Sequence, residues 1–413
     1  MATPAKKILF ISYDGMTDPL GQSQVIPYLA GLTKHGYEFV ILSCDKPEKY
    51  NKNKDYVNKL IEPYPVKWVS IPYTKKPPVL SSVYDFYKLK LKAKQLHKIY
   101  RFDMAHTRPG IPQLVALYLK KKFGIKFMND IRGFWADERV DGGMWNLKNP
   151  LYKMVYSFFK GKEDECVRVA DYNTCLTYKG KDEILKWKNV PQPVKLNVVP
   201  CSVDLELFNP YNINGDIKKE FKKELNILDN DFIISYLGSI GGWYLTKEML
   251  QFCSILLQKK PEAKFLFISN NNHQDIINAA AAYKIPPEKL IIKSGKRHEV
   301  PALLSFSTYS LFFIKPCYSK LSSSPTKHGE IMAMGIPVIT NSGVGDVKEI
   351  VEKYKAGFVL DTFTDSEMNK IADAVCDSNT TFDHKAIRGG AKDFYDLETT
   401  LATYNTVYKK VLG

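Results

Sequence analysis

Short apolar runs bounded by turn residues recur along this chain, each followed by a longer stretch with helical spacing, and the series runs twice. The first series has apolar runs at 7–12, 37–43, 66–72, 104–107, 126–130 and 173–177, with helical stretches from Gly21 to about Thr33 and over 83–100. Residues 198–210 close it. A charged helix near 218–224 then leads into a second series at 232–237, 264–269, 290–292, 311–314 and 338–340. Alternation of this kind predicts mostly parallel sheets with helices on both faces. A chain of 413 residues is too long for one core. The expected fold class is therefore α/β, with two doubly wound Rossmann-like domains covering 1–205 and 206–397. A final helix over 398–413 carries Tyr404, Val407, Tyr408 and Val411 at helical spacing.

No run approaches the length of a membrane span. The apolar stretch after Lys6 and Lys7 is too short for a signal peptide, so a cytoplasmic protein is expected. Its seven cysteines are scattered and lack metal-type spacing, which predicts reduced thiols and no metal site. The formal charge of +15 calls for anionic partners. No compact nucleic-acid motif accompanies the lysines, so phosphorylated substrates and anionic lipid headgroups are the better candidates. Lys88, Lys90, Lys92, Lys94 and Lys98 on the 83–100 helix, thickened by Lys120, Lys121 and Lys122, form either a solvated face or a peripheral contact with an anionic membrane.

The segment 322–339 is the most informative for chemistry. Ser324 suits an N-cap and Pro325 the first helical position, while Gly335 and Pro337 stop the helix before a strand. A helix opening there presents unpaired N–H groups and the positive end of its dipole, a seat for phosphate. Lys327 and Glu330, three residues apart, project from nearly the same face. One can neutralise phosphate while the other accepts hydrogen bonds from sugar hydroxyls. The loop after the first strand holds Gly15, Gly21 and Gln22. It is neither a dinucleotide fingerprint nor a P-loop, yet it stands at the carboxyl end of a strand, where open α/β sheets bind ligands. Two further loops follow strands in the first half. One carries Arg108; the other carries Asp130, Arg132, Trp135 and Glu138, a mixture suited to sugar hydroxyls, pyranose faces or phosphate.

The pattern Ser-Pro-Thr-Lys-x-x-Glu at 324–330, followed by Ala333, Gly335, Pro337 and Val338, resembles the donor-binding segment of glycosyltransferase family 4, retaining enzymes of the GT-B fold. The resemblance covers nearly the whole chain. It implies two domains facing across a cleft, an acceptor site on the first and a nucleotide-sugar donor site on the second, with the final helix returning to the first domain. It assigns Glu330 to the donor ribose, and Ser322, Ser323, Ser324, Pro325, Thr326 and Lys327 to the diphosphate and sugar. Gly21 and Gln22 fall in the loop beside the donor phosphates, Gly238 and Ser239 after the first strand of the second domain, and Lys296 and Arg297 in the base-recognition loop. Asp130 and Arg132 are expected near the transferred sugar, and Gly15, Arg108, Trp135 and Glu138 near the acceptor.

The implied reaction moves a sugar from a nucleotide-sugar donor to a glycan or lipid-linked acceptor with retention, in cell-surface polysaccharide synthesis. No cofactor or metal is needed, and nucleic acid is not a partner. Four departures from the pattern stand out. Leu20 replaces a glycine, and Arg132 replaces a histidine. Gly238-Ser239 with Trp243-Tyr244 lacks the family's two basic groups, leaving Lys327, then Lys320, Lys315 and Lys247, to neutralise phosphate. Ser322 stands where the family has its first glutamate. A nucleotide-sugar epimerase of the same fold and a non-enzymatic sugar-binding protein are the rival expectations.

Overall fold

The computed structural model describes residues 5–413. The chain divides into two compact units, one running to Pro200 and including Glu398–Gly413, the other Cys201–Leu397. The first contains seven parallel strands: β1 Lys6–Ser12, β2 Tyr37–Asp45, β3 Val66–Pro72, β4 Met104–Thr107, β5 Lys126–Ile131, β6 Tyr172–Cys175 and β7 Leu196–Val198. They lie in the order β3-β2-β1-β4-β5-β6-β7, with Ile8 opposite Phe39 on one side and Met104 on the other. Ile8, Leu9 and Ile11 are completely enclosed. Burial on both faces of a parallel sheet is why this run is continuously apolar rather than alternating.

The second unit has six parallel strands: β8 Ile233–Leu237, β9 Lys264–Ile268, β10 Leu290–Lys293, β11 Tyr309–Leu311, β12 Val338–Asn341 and β13 Gly357–Leu360. Their order is β10-β9-β8-β11-β12-β13. In both sheets the winding reverses beside the first strand, which puts switch points between β1 and β4 and between β8 and β11. Loops at the carboxyl ends of those strands are where a doubly wound sheet receives its ligand.

The sequence reading placed a strand at 311–314, but β11 ends at Leu311. Beyond it the Asn341 side chain takes over, accepting the Ile314 N–H at 2.8 Å and donating to the Ile314 carbonyl at 2.9 Å. Strand β13 went unread because it opens on Gly357. That glycine has φ +140, and a Cβ there would collide with the Val338 carbonyl across the ladder. The lysine-rich helix is Leu80–Tyr100, longer at its start than expected.

The last helix, Leu397–Leu412, buries Leu401, Tyr404, Val407 and Tyr408. Tyr408 presents its hydroxyl 2.7 Å from His106 Nδ1 on β4 and meets the Tyr37 ring edge-on at 5.0 Å. Leu401 lies over Gly31, leaving no room there for a Cβ. All seven cysteines are free, five of them buried. Among the described residues no helix is long and apolar enough to cross a membrane, and no cluster of ligating side chains could hold a metal ion.

Overpacking a filled interior costs typically about 1–3 kcal/mol. Gly31→Ala is therefore expected to lower the urea midpoint of unfolding, and Gly31→Ala combined with Leu401→Ala to recover part of the loss. An unchanged midpoint for the single variant would contradict the observed contact.

Candidate functional site

The second switch point is built from three pieces of chain. The loop leaving β8 turns sharply at Gly238, which has φ +118 and donates its N–H to the Ile268 carbonyl at 2.9 Å. The chain leaving β11 passes through a short 3-10 turn, Tyr318–Ser322, into the helix Thr326–Ala333. The third piece is the loop after β10, carrying Lys296 and Arg297.

Helix Thr326–Ala333 begins differently from the sequence expectation. Pro325 is the N-cap and Ser324 lies before it, where its hydroxyl accepts the Cys201 N–H at 3.2 Å. Among the described residues no side chain caps this helix; the His328 N–H is taken by the Pro325 carbonyl at 3.0 Å, which leaves those of Thr326 and Lys327 at the opening. The helix is pinned from behind. His328 Nδ1 is 2.9 Å from the Tyr395 hydroxyl, and a Cβ at Gly329 would strike the Tyr395 ring. Burial pushes the His328 imidazole down to about 3, so it is neutral. This packing fixes which way Lys327 and Glu330 point.

Lys327 is buried. Its ammonium stands 3.7 Å from the centre of the Tyr244 ring and 4.4 Å from that of Tyr236, and donates to the Tyr236 hydroxyl at 3.3 Å. A Cβ at Gly238 would come within 2.8 Å of it, so a side chain there would displace the ammonium, and φ +118 already favours glycine at this turn. Burial pushes the ammonium down to about 7, the Glu330 charge opposing that shift. Glu330 is also buried and accepts from Arg297 Nη1 at 2.8 Å. Burial raises its carboxyl above the ordinary range, with Arg297 working the other way. Lys320 is a second cation at this loop, 3.8 Å over the Trp243 ring. Ser322 is fully enclosed, and among the described residues its hydroxyl makes no hydrogen bond. Ser323 and Thr326 are half-buried beside it, and Lys296 is exposed, its backbone N–H given to Glu299 at 2.7 Å.

In the first unit the expectations are redistributed. Asp130 is enclosed rather than open to a substrate. It accepts from Thr174 at 2.8 Å and from the Tyr404 hydroxyl at 3.1 Å, with His106 Nε2 at 3.6 Å and Arg132 Nε at 3.8 Å. Burial alone would raise its carboxyl, but Arg132, His106 and Arg108 hold it well below the usual range. The Arg132 side chain is similarly enclosed, donating to the Val199 carbonyl at 3.3 Å and to Gln24 Oε1 at 3.4 Å. Arg108 donates to the Gln24 carbonyl at 3.1 Å. These three groups position the β4 and β5 ends against the last helix. Gly15 sits against buried Asp45, which also receives Thr17 and Ser43, so it shapes the loop rather than touching a partner. Gly21 is packed on Met16, and Gln22 Nε2 donates to the Thr17 carbonyl at 3.4 Å. Gly133, at φ +149, makes room for the Glu138 carboxylate.

Trp135 is where the sequence reading and the structure meet on new ground. Arg139 lies 3.4 Å over its ring, and Trp145 and Phe159 flank it at 5.6 and 4.6 Å. Arg139 was not singled out in the sequence. One turn beyond Trp135, its spacing was the available signal. The Arg297–Glu330 pair and the tyrosines around Lys327 were equally unread, since partners from separate strands leave no mark on spacing.

Residues 217–392 match the family described as Glycosyl transferases group 1. The matched residues all lie within the second unit. The matched span encloses Gly238, Arg297, Lys327 and Glu330, so the similarity extends over the switch-point site. Among curated proteins, an Escherichia coli UDP-Gal:alpha-D-GlcNAc-diphosphoundecaprenol alpha-1,3-galactosyltransferase is 21% identical over 285 residues. That match covers 68% of this chain and 66% of the relative, just under two thirds of its length. Among solved structures, a Rickettsia africae glycosyltransferase superposes with a TM-score of 0.69 at 16% identity, covering 98% of this chain and 99% of that one. Anabaena HepE in complex with UDP and glucose gives a TM-score of 0.69 at 12% identity, with coverage of 98% and 99%. These superpositions establish the two-domain GT-B fold that the sequence predicted.

Lys327 titrates near 7 in the folded chain and near 10.5 in its ordinary state. Between those values the unfolded chain holds the extra proton, so stability rises with pH across that window and the cost of charging Lys327 is fully present below it. Lys327→Met is expected to be more stable than the parent at pH 6.5, with the advantage shrinking toward pH 10, as read by urea midpoints. A pH-independent difference would show that the ammonium is not buried.

Proposed function

We propose that this protein is a retaining glycosyltransferase of family 4 type that moves a hexose from a nucleotide-sugar donor to a glycan or lipid-linked acceptor in cell-surface polysaccharide synthesis. The observation that carries the reading is the group 1 domain match enclosing a buried lysine and a buried glutamate on one helix face, beside a glycine turn at the switch point. In this reading the diphosphate lies at the open start of helix Thr326–Ala333, where unpaired N–H groups and the dipole favour an anion. Lys327 supplies the countercharge, and its low pKa in the unliganded chain means that diphosphate binding draws a proton onto it. Lys320 adds a second cation from the Trp243 side.

Glu330 accepts the ribose hydroxyls, and Arg297 holds its carboxylate for that task. Lys296 and Gly238 with Ser239 line the base and diphosphate by their backbone groups. The developing charge on the leaving diphosphate is met by fixed donors in a water-poor site, which is where such donors are most effective. No metal enters this scheme. Asp130 and Arg132 act at one remove, setting the loop of Trp135 and Glu138, which faces the acceptor. The protein works in the cytoplasm, at the inner face of the membrane that carries its acceptor.

Incubation with UDP-, GDP- and ADP-sugars tests the reading. A cognate donor at about a hundredfold excess over Kd adds about 2.7 kcal/mol of stability. The melting temperature should rise by several degrees with one donor, and Lys327→Ala and Glu330→Ala should each abolish the rise. Transfer or slow hydrolysis of that donor supports a transferase; an isomerised donor would mean an epimerase, and binding without turnover a sugar-binding protein. Chelation with EDTA should leave the transfer rate unchanged, and a rate restored only by added divalent cation would refute the metal-free scheme.

A further inference from the structure

The first unit contains a groove of about 1070 Å³, lined largely by apolar and aromatic side chains. That volume is at the upper end of what small-molecule sites enclose. Its floor is the helix Ile111–Phe123, on which the helices Leu80–Tyr100 and Pro150–Val169 both pack as walls. Ile111, Leu114, Leu117 and Tyr118 line the floor, Val83, Phe86 and Tyr87 one wall, and Met154, Val155, Phe158 and Phe159 the other. The groove opens at the carboxyl edge of the sheet, where Tyr13 follows β1, Tyr73 follows β3 and Trp135 follows β5. It runs from there to Lys90 and Lys122, about 15 Å along the helices at 1.5 Å per residue.

Two features separate it from an ordinary crevice. Leu80, Tyr84, Tyr87 and Leu91 are exposed at i, i+4, i+7 and i+11 along one wall helix. Leu151, Met154 and Phe158 are exposed at i, i+3 and i+7 along the other, with Leu147 exposed just before it. Each wall thus presents an outward apolar stripe at its mouth, where a solvated helix would place polar residues. The second feature is charge. Lys75, Lys90, Lys121, Lys122 and Lys162 line the groove, and of these only Lys121 and Lys162 are ion-paired among the described residues, both to Glu165. Lys90 lies over the Tyr118 ring at 4.3 Å, its stem serving as wall and its ammonium at the mouth. At the carboxyl edge Arg139 also lines the groove, stacked on Trp135 and donating to the Trp135 carbonyl at 3.1 Å. A stacked guanidinium still has N–H groups for a phosphate.

We infer that this groove binds the hydrocarbon chain of a phosphate-bearing long-chain lipid, with the phosphate end beside Arg139 and the chain running between the helices toward Tyr118 and Phe158. The inference deepens the acceptor half of the proposed function and rests on it. An apolar channel that opens where the sheet receives ligands and carries Lys75, Lys90 and Lys122 without ion pairs among the described residues fits an anionic amphiphile. Glu138 and Asp14 are the carboxylates whose charge reaches Arg139, and Glu165 is the one that pairs with the rim, at Lys121 and Lys162.

The test uses the full chain without donor, so it does not depend on the nucleotide-sugar reading. Farnesyl phosphate below its micelle concentration and isopentenyl phosphate are titrated against the tryptophan fluorescence of Trp135 and Trp145. The fifteen-carbon probe is expected to bind at least about tenfold tighter than the five-carbon one, since affinity grows with buried chain. Tyr87→Asp and Phe158→Asp, at exposed positions that leave the core intact, should each erase that preference while keeping the parent melting temperature. Arg139→Gln should weaken both phosphates by a similar factor. Equal affinity for the two probes, or binding unchanged in both Asp variants, overturns the inference. Attachment to anionic vesicles without binding of monomeric farnesyl phosphate also overturns it, in favour of surface docking. Donor-dependent transfer to a soluble glycan by a chain that ignores farnesyl phosphate would sink the groove alone and leave the proposed function standing.

Discussion

Everything at the second switch point depends on burying one ammonium group. Taking a lysine out of water is costly unless its charge is compensated or lost. Here the compensation is partial: two tyrosine rings offer their faces, one hydroxyl accepts, and Glu330 is near enough to act through its charge but too far to pair. The result is a lysine held close to its titration point, in a pocket a side chain at Gly238 would fill. Such a group is poorly satisfied alone and well satisfied by an anion. The same holds for Glu330, whose single strong partner, Arg297, leaves acceptor capacity over. Local under-satisfaction of this kind in a buried setting is what makes Lys327 and Glu330 candidates for binding.

The aromatic residues at Trp243 and Tyr244 also explain a gap in the sequence. Where relatives of this pattern carry basic residues, this chain has rings, and the positive charge comes from the other side of the switch point instead. Lys320 and Lys327 reach across to lie on Trp243 and Tyr244. Positive charge is present at this switch point, carried by the turn and helix that follow β11. Sequence spacing reads one segment at a time, so it registers the missing bases and misses their replacement.

That contrast describes what could be read in advance. Buried parallel strands announce themselves as unbroken apolar runs, and most strands of both sheets were legible on that ground. Strand β13 was not, because Gly357 is there for a close backbone approach that only the paired strand explains. The positions of Lys327 and Glu330 on one face followed from helical geometry, whereas the cap did not: Ser324 has the chemistry of an N-cap but spends its hydroxyl on Cys201. Asp130 and Arg132 had the composition of a sugar site and turned out to be engaged by Thr174, Tyr404 and Val199. A charged pair at a strand end gives no hint of whether something distant in sequence will cover it. Tyr404, 274 positions away, does. The lysine-rich helix misled in a related way, since its lysines drew attention from the apolar stripe between them.

The covering of Asp130 by Tyr404, and of His106 by Tyr408, has a consequence for how the chain is made. The first sheet is complete in sequence by Val198, yet two of the tyrosines that close its interior belong to the last helix. On a ribosome adding about 5–20 residues per second, roughly 10–40 s separate the emergence of the sheet from that of its closing helix. During that interval the intervening unit is synthesised in full and can fold by itself, while the earlier one waits with an aspartate and a histidine uncovered. The first unit is thus begun before the second and receives its closing helix only after it.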